Sequence, residues 1–572
     1  MTPSTDANEN HPNGSLPDLA ERMLRHILAA EPLEGTLLGF REYDAKLADL
    51  SRAHDALLAQ ERAAIRTAAE AIDAASLSEQ ERVTRAVIIA LADYGDDVQA
   101  VDAIEFTVAS FAVTPSSVLL AYLPMLVVTD AEQADAYLQR LSEVPRYLQQ
   151  AEERLEHGRQ TGLLPVARLV QNSADQIEAL LGADPCPLVL EPHGDWDGAD
   201  DWRGSVSDLV ERVVKPAFAA HRDALLQQAL PTARSDEQPG LVHIPEGLER
   251  YERLIRVHTT TSLTAQQLHQ TGLDMVKRIH AEFSELGDAV FGIREPRAIF
   301  ERLLNDPDLR WSSEQAILDA AETAVRRAET AAPGWFGRLP EAVCAIAPIP
   351  ELEADGSAAA YYMPPAVDGS HPGTYYANVV HPEERTSYDL ESVAFHEAVP
   401  GHHFQLSLAL EQQGLPMLRR LTLFTAYAEG WGLYSERLAD EMGLYSSDLQ
   451  RMGMLSADAW RASRLVVDTG MHALGWSRQE ALDFMLENTA VAPIEAAAEV
   501  DRYIAYPGQA LSYMTGRLEI QSLRARAEEA LGAGFDIKGF HDRVLGIGAV
   551  PLSVLGEAVD EWIASRAPQD AP

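Results

Sequence analysis

The sequence predicts a mainly α-helical fold: one large helical body divided by a deep cleft, with a small antiparallel β-sheet in its second half. Apolar residues recur at intervals of three and four along most of the chain, which is the period of an amphipathic helix. Hydrophobic residues make up 46% of the 572 residues, as in an ordinary globular protein. A short stretch after Pro340 departs from this pattern and carries runs typical of strands.

Helical periodicity covers most of the first 340 residues. Residues 1–16 are polar and contain Pro and Gly, so we expect a disordered tail before the first helix. Thr264 and Gln267 form the pattern of a capping box at the start of another helix. No Pro- or Ser-rich linker separates two domains, and we expect 17–340 to form one cleft wall and 341–566 to carry the chemistry. The predicted helices are 19–31, 58–75, 79–95, 131–157, 205–229, 262–287 and 312–331.

Three short strands are predicted next, at 343–348, 358–363 and 374–379. An extended peptide can pair with an exposed sheet edge, so this sheet is either a substrate-binding edge or a purely structural meander. Helical periodicity then resumes. The predicted helices are 388–399, 402–413, 416–442, 447–475, 478–488, 493–500 and 507–530, with Pro507 in the first turn of the last one.

The composition excludes several classes of protein. The net charge is −42, with 88 acidic and 46 basic residues. This charge argues against nucleic-acid binding, which needs a basic face to neutralise phosphates, and against binding to an anionic membrane. No run of about 18 apolar residues is present to span a bilayer, and the first residues lack the segments of a secretory signal. With Cys186 and Cys344 alone, the chain has no disulfide framework and fits a reducing cytoplasm. The acidity serves either solubility or the attraction of cationic substrates.

The segment 396–403, H-E-A-V-P-G-H-H, places three imidazoles and a carboxylate within eight residues. These are the ligand and base types of a zinc hydrolase, but the spacing departs from the usual H-E-x-x-H signature. On a straight helix His396 and His403 would lie about 10.5 Å apart along the axis, too far for two nitrogen–zinc bonds of about 2.0–2.1 Å. The Pro-Gly pair between them is suited to a bulge. His402 is favoured as the second ligand because it directly follows the bulge glycine, and His403 is the alternative.

A third ligand is expected in the apolar stretch A-Y-A-E-G-W that follows. Glu429 and Glu436 lie at i and i+7 on one face of the predicted helix, so both are candidates. Glu429 is favoured because the adjacent Gly430 allows helices to pack closely near the metal, and Glu436 would then lie behind the ligands. The predicted site is one Zn²⁺ per chain, bound by His396, His402 and Glu429.

Candidates for the reaction follow from what amide hydrolysis needs. Glu397 is positioned as the general base that takes a proton from a metal-activated water and returns it to the leaving nitrogen. The developing oxyanion needs a hydrogen-bond donor, and residues 501–513, D-R-Y-I-A-Y-P-G-Q-A-L-S-Y, supply three tyrosines at a loop-to-helix junction. Tyr506 and Tyr513 are favoured as that donor, and Tyr503 is assigned to substrate binding. Packing in the core is the competing role of each.

Side chains around the predicted cleft supply further candidates. Arg502 or Arg464 can receive a substrate carboxylate through a bidentate fork. Tyr376 is predicted to line the cleft and contact substrate, with packing as its alternative. Asp468 and His472, at i and i+4 on a predicted helix, either hydrogen-bond the ligand imidazoles or form a pair on the helix surface.

The sequence F-H-E-A-V-P-G-H-H-F-Q followed by A-Y-A-E-G-W-G-L-Y-S-E resembles the bacterial family known as domain of unknown function 885. The segments R-L-V-V-D-T-G-M-H and Y-P-G-Q-A-L-S-Y add to the resemblance, which extends from about residue 15 and is strongest from 370 to 520. That family is grouped with the gluzincin metallopeptidases, so the resemblance implies a zinc-peptidase-like fold without settling a substrate. Relatives are expected to carry a Lys soon after the last tyrosine, where this chain has Met514-Thr515; if that Lys contacts substrate, specificity differs here.

These observations predict a cytoplasmic zinc metallopeptidase that cleaves short peptides. The alternatives are a zinc-dependent amidase or esterase for a specialised small molecule, and a non-catalytic relative that binds metal or peptide. Glu397 argues against the last, because a purely structural metal site has no need of a general base. The sequence leaves the cleavage position and the oligomeric state open.

Overall fold

Helices make up most of the fold, which confirms the mainly α-helical prediction. The computed structural model describes residues 14–194, 196–350, 358–365, 372–422 and 424–566. Before the sheet the helices are α1 (Leu16–Ala30), α2 (Pro32–Leu37), α3 (Arg52–Glu70), α4 (Glu79–Val101), α5 (Pro115–Tyr122), α6 (Ala131–Ser142), α7 (Val144–Thr161), α8 (Ala167–Gly182), α9 (Ala199–Leu209), α10 (Lys215–Ala224), α11 (Gly247–Thr259), α12 (Ala265–Phe291), α13 (Pro296–Asn305) and α14 (Glu314–Ala331). After it they are α15 (Leu390–Glu397), α16 (His402–Glu411), α17 (Met417–Leu421), α18 (Thr425–Glu441), α19 (Asp448–His472), α20 (Arg478–Asn488), α21 (Pro493–Ala505), α22 (Ser512–Leu531), α23 (Ile537–Gly546) and α24 (Leu552–Arg566).

Local sequence signals set the starts of α1 and α12. The predicted tail, 1–16, lies outside the described residues as far as residue 13, and α1 begins directly after its cap, Ser15. The Ser15 hydroxyl accepts a hydrogen bond from the backbone of Asp18, whose carboxylate accepts one from the Ser15 backbone in return. Thr264 and Gln267 form the same reciprocal pair at α12, which confirms the predicted capping box.

Several predicted helices have different bounds in the structure, and the helix predicted over 416–442 is divided into α17 and α18. The single helix predicted over 131–157 is two helices, α6 and α7, because Pro145 stands in the first turn of α7 and cannot donate a hydrogen bond back into α6. The helix predicted to begin at Pro507 begins instead at Ser512. Gly508 adopts a left-handed backbone with φ 86°, which interrupts a helix at that point.

The strands form a mixed sheet, so the antiparallel sheet predicted from the sequence is wrong. They are β1 (Ala345–Pro348), β2 (Ala360–Met363) and β3 (Thr374–Ala377), in the spatial order β1-β3-β2. β3 pairs parallel to β1 and antiparallel to β2. Parallel pairing needs a connection of about a dozen residues or more, and the chain between β1 and β3 is long enough to provide it. β2 is left at an edge of the sheet, where it contacts α15.

The hydrophobic cores join the two parts of the chain. One cluster packs Val87 of α4 with Phe395 and Trp431, and another packs Phe283 of α12 with Leu455 of α19. Each part therefore buries apolar surface against the other, while the predicted division at 340 stays a prediction. No helix within the described ranges is both long and apolar enough to cross a membrane.

Two glycines allow α18 and α22 to cross closely. A Cβ atom on Gly516 would lie 1.8 Å from the carbonyl oxygen of Ala426, and one on Gly430 would lie 2.5 Å from the backbone of Gly516. No side chain fits at either position, which confirms the expectation that Gly430 permits close helix packing. The crossing brings α22, and with it Tyr513, against the helix that carries Glu429.

Candidate metal centre

A four-residue turn between α15 and α16 replaces the helix that a regular H-E-x-x-H motif would have. α15 ends at Glu397 and α16 begins at His402, as the predicted bulge requires. A Cβ on Gly401 would lie 1.8 Å from the carbonyl oxygen of His396, so the turn folds back tightly enough that glycine alone fits. The carbonyl of Pro400 accepts hydrogen bonds from the Trp431 indole (2.9 Å) and the Ser435 hydroxyl (3.3 Å), which fixes the turn on α18.

The turn brings three donor atoms together. His396 Nε2 lies 3.5 Å from Glu429 Oε2, and His402 Nε2 lies 3.4 Å from the same oxygen. Ligand atoms of all three side chains lie within 4.8 Å of one another. Four ligands at about 2.0–2.1 Å from a tetrahedral zinc are separated by about 3.3–3.4 Å, so this donor set and its spacing fit zinc. The two imidazole rings stand at 89° to each other, which lets both nitrogens point at one centre.

The electrostatics of this cluster favour positive charge. Burial disfavours the charged form of His396, but hydrogen bonds to Glu429 and Glu436 outweigh it and raise its pKa to about 9. Burial alone would raise the pKa of Glu429, yet hydrogen bonds with His396 and His402 hold it well below its usual range. Glu429 therefore carries its negative charge at the point where the two imidazoles meet, as a cation ligand must.

Glu436 holds His396 from behind. Its Oε1 accepts a hydrogen bond of 2.8 Å from His396 Nδ1, and its Oε2 accepts one of 2.6 Å from the Ser392 hydroxyl. The side chain is 1% exposed. A carboxylate bonded to Nδ1 fixes the ring orientation and turns Nε2 toward the cluster, which is the usual arrangement behind a zinc-bound histidine. The structure thus places Glu429 beside the imidazoles and Glu436 behind one of them.

His403, the alternative ligand, points elsewhere. Its Nδ1 lies 2.9 Å from the Tyr362 hydroxyl and its Nε2 lies 3.1 Å from the carbonyl oxygen of Ala342. Both ring nitrogens are engaged, and the side chain is buried. The geometry therefore favours His402 over His403, because a ligand needs one nitrogen free for the metal.

Glu397 lies between the donor cluster and the sheet. Its Oε2 accepts a 3.1 Å hydrogen bond from the backbone N–H of Tyr362, on the edge strand β2. The side chain is partly exposed, unlike that of the preceding His396. One carboxylate oxygen is thus held in place by the sheet, and neither is used by a neighbouring basic side chain among the described residues.

The structure separates the two favoured tyrosines. The Tyr513 ring stacks near His396, with centroids 6.5 Å apart and planes at 24°, and burial followed by the charge of Glu429 raises its pKa. No hydrogen bond engages its hydroxyl in the part of the chain that the structure describes. Tyr506 instead packs edge-to-face on His258 at 4.9 Å and is 37% exposed. Tyr513 is therefore placed to reach the donor cluster. Tyr506 has no recorded contact with His396, His402 or Glu429.

The predicted substrate-binding residues are largely occupied by other contacts. Tyr503 is fully buried, and its hydroxyl donates to Glu499 at 2.6 Å while accepting from Arg464 at 2.9 Å. Arg502 pairs with Glu499 at 2.9 Å. Direct substrate contact by Tyr503 is thus wrong for this structure, because its hydroxyl lies in the core. Tyr376 stacks on Tyr361 at 5.1 Å in the sheet, the packing role that was its alternative.

Asp468 and His472 lie away from the donor cluster. Asp468 accepts hydrogen bonds from the Tyr251 hydroxyl and from the backbone N–H of Gly508. His472 accepts from the backbone N–H of Leu241 at 3.2 Å and lies 3.0 Å from the Tyr503 carbonyl oxygen. Neither hydrogen-bonds His396 or His402, and both side chains are fully buried, so the structure supports neither the contact with the ligand imidazoles nor the pair on the helix surface. Instead they anchor the loop before α22.

Sequence reasoning missed two residues at this site. Tyr362 connects β2 to the centre through its backbone and to His403 through its hydroxyl. Arg461 stands one helical turn before Arg464 and lies 5.9 Å from the Tyr513 ring centroid. The i, i+3 spacing of the two arginines puts both on one face of α19, and that spacing was the available signal.

Comparison with known structures shows that this fold has been solved before. The crystal structure of a protein from Colwellia psychrerythraea, provisionally named a lipoprotein, superposes with a TM-score of 0.90 at 28% sequence identity, covering 96% of this chain and 99% of that one. A protein from Shewanella oneidensis, provisionally named a lipoprotein of unknown function, gives a TM-score of 0.75 at 17% identity, covering 95% and 99%. The second likeness shows the fold alone.

The family comparison covers nearly the whole described chain. No curated protein of established function matches. The model of a bacterial family of proteins of unknown function, DUF885, matches residues 32–559, a span that includes every member of the donor cluster. The resemblance first noted in the motif around His396 therefore extends over the fold, and the chain belongs to the DUF885 family.

Proposed function

We propose that this protein is a zinc-dependent hydrolase, and specifically a metallopeptidase that cleaves short peptides. The observation that carries the proposal is the meeting of His396, His402 and Glu429, with a carboxylate on the residue next to the first ligand. Two imidazoles and one carboxylate leave a fourth position open, as catalytic zinc sites do and closed structural sites do not. The proposed kinship with the gluzincin metallopeptidases rests on the same donor set.

Each residue has a defined role in the proposed reaction. Bound zinc would polarise the substrate carbonyl and lower the pKa of water. As that water adds to the carbonyl carbon, Glu397 takes its proton and passes it to the leaving nitrogen when the C–N bond breaks. The Tyr513 hydroxyl, which has no hydrogen-bond partner among the described residues, is the proposed donor to the developing oxyanion. The hydrogen bond from the Tyr362 backbone holds Glu397 in position.

A peptide substrate is favoured by the sheet beside the site. β2 is an edge strand, and its residue Tyr362 directs a backbone N–H away from β3 toward Glu397. An extended chain laid along this edge would pass the general base, as in other cases of strand addition. A zinc-dependent amidase or esterase that acts on a specialised small molecule is the alternative. A cytoplasmic location stays a prediction.

The test combines metal analysis with a peptide library. Purified protein should contain about one zinc per chain, and mass spectrometry should show cleavage that a chelator abolishes and added zinc restores. Glu397→Gln should keep the zinc and lose nearly all turnover, whereas His396→Ala should lose both. Glu441→Gln, on the exposed side of α18, is the matched control and should retain both.

The outcomes separate the alternatives. Zinc without cleavage of any peptide would favour the amidase or a binding protein. Absence of zinc after purification and after loading would overturn the proposal. Full activity of Glu397→Gln would show that another group acts as the base.

A further inference from the structure

Three arginines gather on one side of the donor cluster in a chain whose net charge is −42. The guanidinium carbons of Arg464 and Arg461 lie 4.6 and 5.9 Å from the Tyr513 ring centroid, and that of Arg502 lies 5.0 Å from the Tyr503 ring. With 88 acidic and 46 basic residues, any small region of this chain is expected to be acidic. A local cluster of cations beside the site is therefore a specific feature of the fold.

Two of the three arginines share one carboxylate. Arg464 pairs with Glu499 at 3.0 Å and also donates to the Tyr503 hydroxyl. Arg502 pairs with Glu499 at 2.9 Å and donates to Gln509 at 2.7 Å. These contacts lower the pKa of Glu499 to about 2 against the effect of burial, so its charge is fixed on this pair. Both arginines therefore have an acidic partner among the described residues, although Nη1 of Arg464 is buried without a hydrogen bond.

Arg461 is left without a partner. Within the described residues no hydrogen bond or ion pair reaches its guanidinium, and its Nε atom is buried and unsatisfied. The group is held between aromatic rings, 5.3 Å from the Trp460 centroid and 5.9 Å from that of Tyr513. A buried N–H without an acceptor is costly, and no carboxylate among the described residues forms an ion pair with this guanidinium.

Glu495 is the acidic group that faces this arginine without pairing with it. The residue is exposed, and no ion pair joins its carboxylate to the guanidinium in the described structure. Burial of the surrounding recess, followed by the charges of Asp389 and Glu499, raises its pKa to about 7 despite the opposing effect of Arg461. Glu495 is therefore an acidic neighbour that forms no ion pair with Arg461 among the described residues.

The position of Arg461 relative to the donor cluster sets what it can bind. The Tyr513 ring is close to both, because its centroid lies 6.5 Å from that of the His396 ring and 5.9 Å from the guanidinium carbon of Arg461. An extended peptide advances about 3.3–3.6 Å per residue. We propose that Arg461 binds a carboxylate located one or two residues beyond the bond that is cut. The free C-terminus of a short peptide carries such a group, and so does an acidic side chain.

This inference rests on the proposed hydrolase and names its substrate class. A planar guanidinium receives a carboxylate through two parallel hydrogen bonds. A C-terminal carboxylate held there would place the last or the second-last peptide bond of the substrate beside Glu397. The protein would then release one or two residues from the C-terminus of its substrate. An amide or ester substrate in the alternative function would carry the same carboxylate.

The test measures binding separately from turnover. Three hexapeptides are compared: one with a free C-terminus, the same peptide as its C-terminal amide, and an amide whose last residue is Glu. Binding to the zinc-loaded Glu397→Gln variant is measured by calorimetry. The kcat/KM of the unaltered protein is measured by mass spectrometry of the products. The free acid should bind about 10- to 100-fold more tightly than the amide, the range of a charge-assisted hydrogen bond, and Arg461→Gln should abolish that difference. Arg461→Lys, which keeps the charge without the fork, should restore part of it. Arg297→Gln, at an exposed arginine of α13, is the control and should leave it unchanged.

Each outcome decides one of the two proposals. Equal binding of acid and amide, or a preference that survives Arg461→Gln, overturns the role of Arg461 and leaves the peptidase standing if cleavage occurs. Tight binding of the Glu amide alone assigns the site to an acidic side chain and overturns the C-terminal form. If the peptide with a free C-terminus binds more tightly than its amide but the unaltered protein cleaves none of the peptides, the proposed role of Arg461 is supported and the proposed peptidase activity is overturned.

Discussion

Replacing Glu436 with glutamine tests the donor cluster without altering a proposed ligand. Glutamine keeps the size of the side chain and one oxygen that can accept the 2.8 Å hydrogen bond from His396 Nδ1, while its amide can donate to the Ser392 hydroxyl that lies 2.6 Å from Oε2. What is lost is a buried negative charge behind an imidazole that should face a cation. Changes at such partners of metal-bound histidines cost about 10- to 100-fold in metal affinity, which corresponds to about 1.4–2.8 kcal/mol.

The assay is competition for zinc between the protein and a chromophoric chelator at fixed pH. Glu436→Gln should bind zinc about 10- to 100-fold more weakly than the unaltered protein. Glu441→Gln, on the same helix but half-exposed and paired with Arg524, should bind it equally well. Circular dichroism should show both variants folded. If Glu436→Gln were folded and bound zinc as tightly as the unaltered protein, then His396 would not be a ligand oriented by this carboxylate.

Two further predictions follow from the turn and from a buried carboxyl. Gly401→Ala should lose most zinc affinity in the same competition assay, because its Cβ would lie 1.8 Å from the His396 carbonyl oxygen; Gly414→Ala, where nothing lies within 4 Å, should not, and equal affinity in both would contradict the tight turn. Burial raises the pKa of Asp468 to about 7 although the Tyr251 hydroxyl and the Gly508 amide act against it. Its unfolded form ionises near 3.8, so the stability present below that pH is lost as pH rises toward 7. Asp468→Asn should remove this loss, so its free energy of unfolding relative to the unaltered protein should rise by on the order of 4 kcal/mol between pH 4 and pH 8. Denaturant unfolding of both proteins at the two pH values measures this, and a difference that does not change with pH would refute it.

Helix content was predictable from the sequence because amphipathic spacing is local. The capping box at Thr264 and the bulge at Gly401 were also local signals, and both appear where they were expected. Helix interruptions depend on single residues in context, so Pro145 and Gly508 moved bounds that periodicity alone placed elsewhere. The direction of β1 relative to β3 is set by a long connection, and no pattern of side chains within a four-residue strand records it.

The site was predictable only as far as its residues lie close in sequence. The histidines and Glu397 occupy one short segment, and Gly430 marked the neighbouring helix. The sequence does not predict which arginine lacks an acidic partner, because that depends on the position of Glu499, which lies on another helix. That carboxylate pairs with both Arg464 and Arg502, the two arginines considered from the sequence, and leaves Arg461 unpaired.

α18 contributes three separate contacts to the centre, and this restricts how its length can vary. Glu429 faces the imidazoles, Trp431 and Ser435 hold the carbonyl of Pro400, and Glu436 bonds His396 from behind. Inserting one residue after Glu429 would turn the rest of the helix by about 100° and advance it by about 1.5 Å, so every later contact would face the wrong direction. Substitutions on the outer side of α18 leave this register intact. Evolution can therefore exchange side chains along this helix, but an insertion or deletion between 429 and 436 would dismantle the centre in a single step.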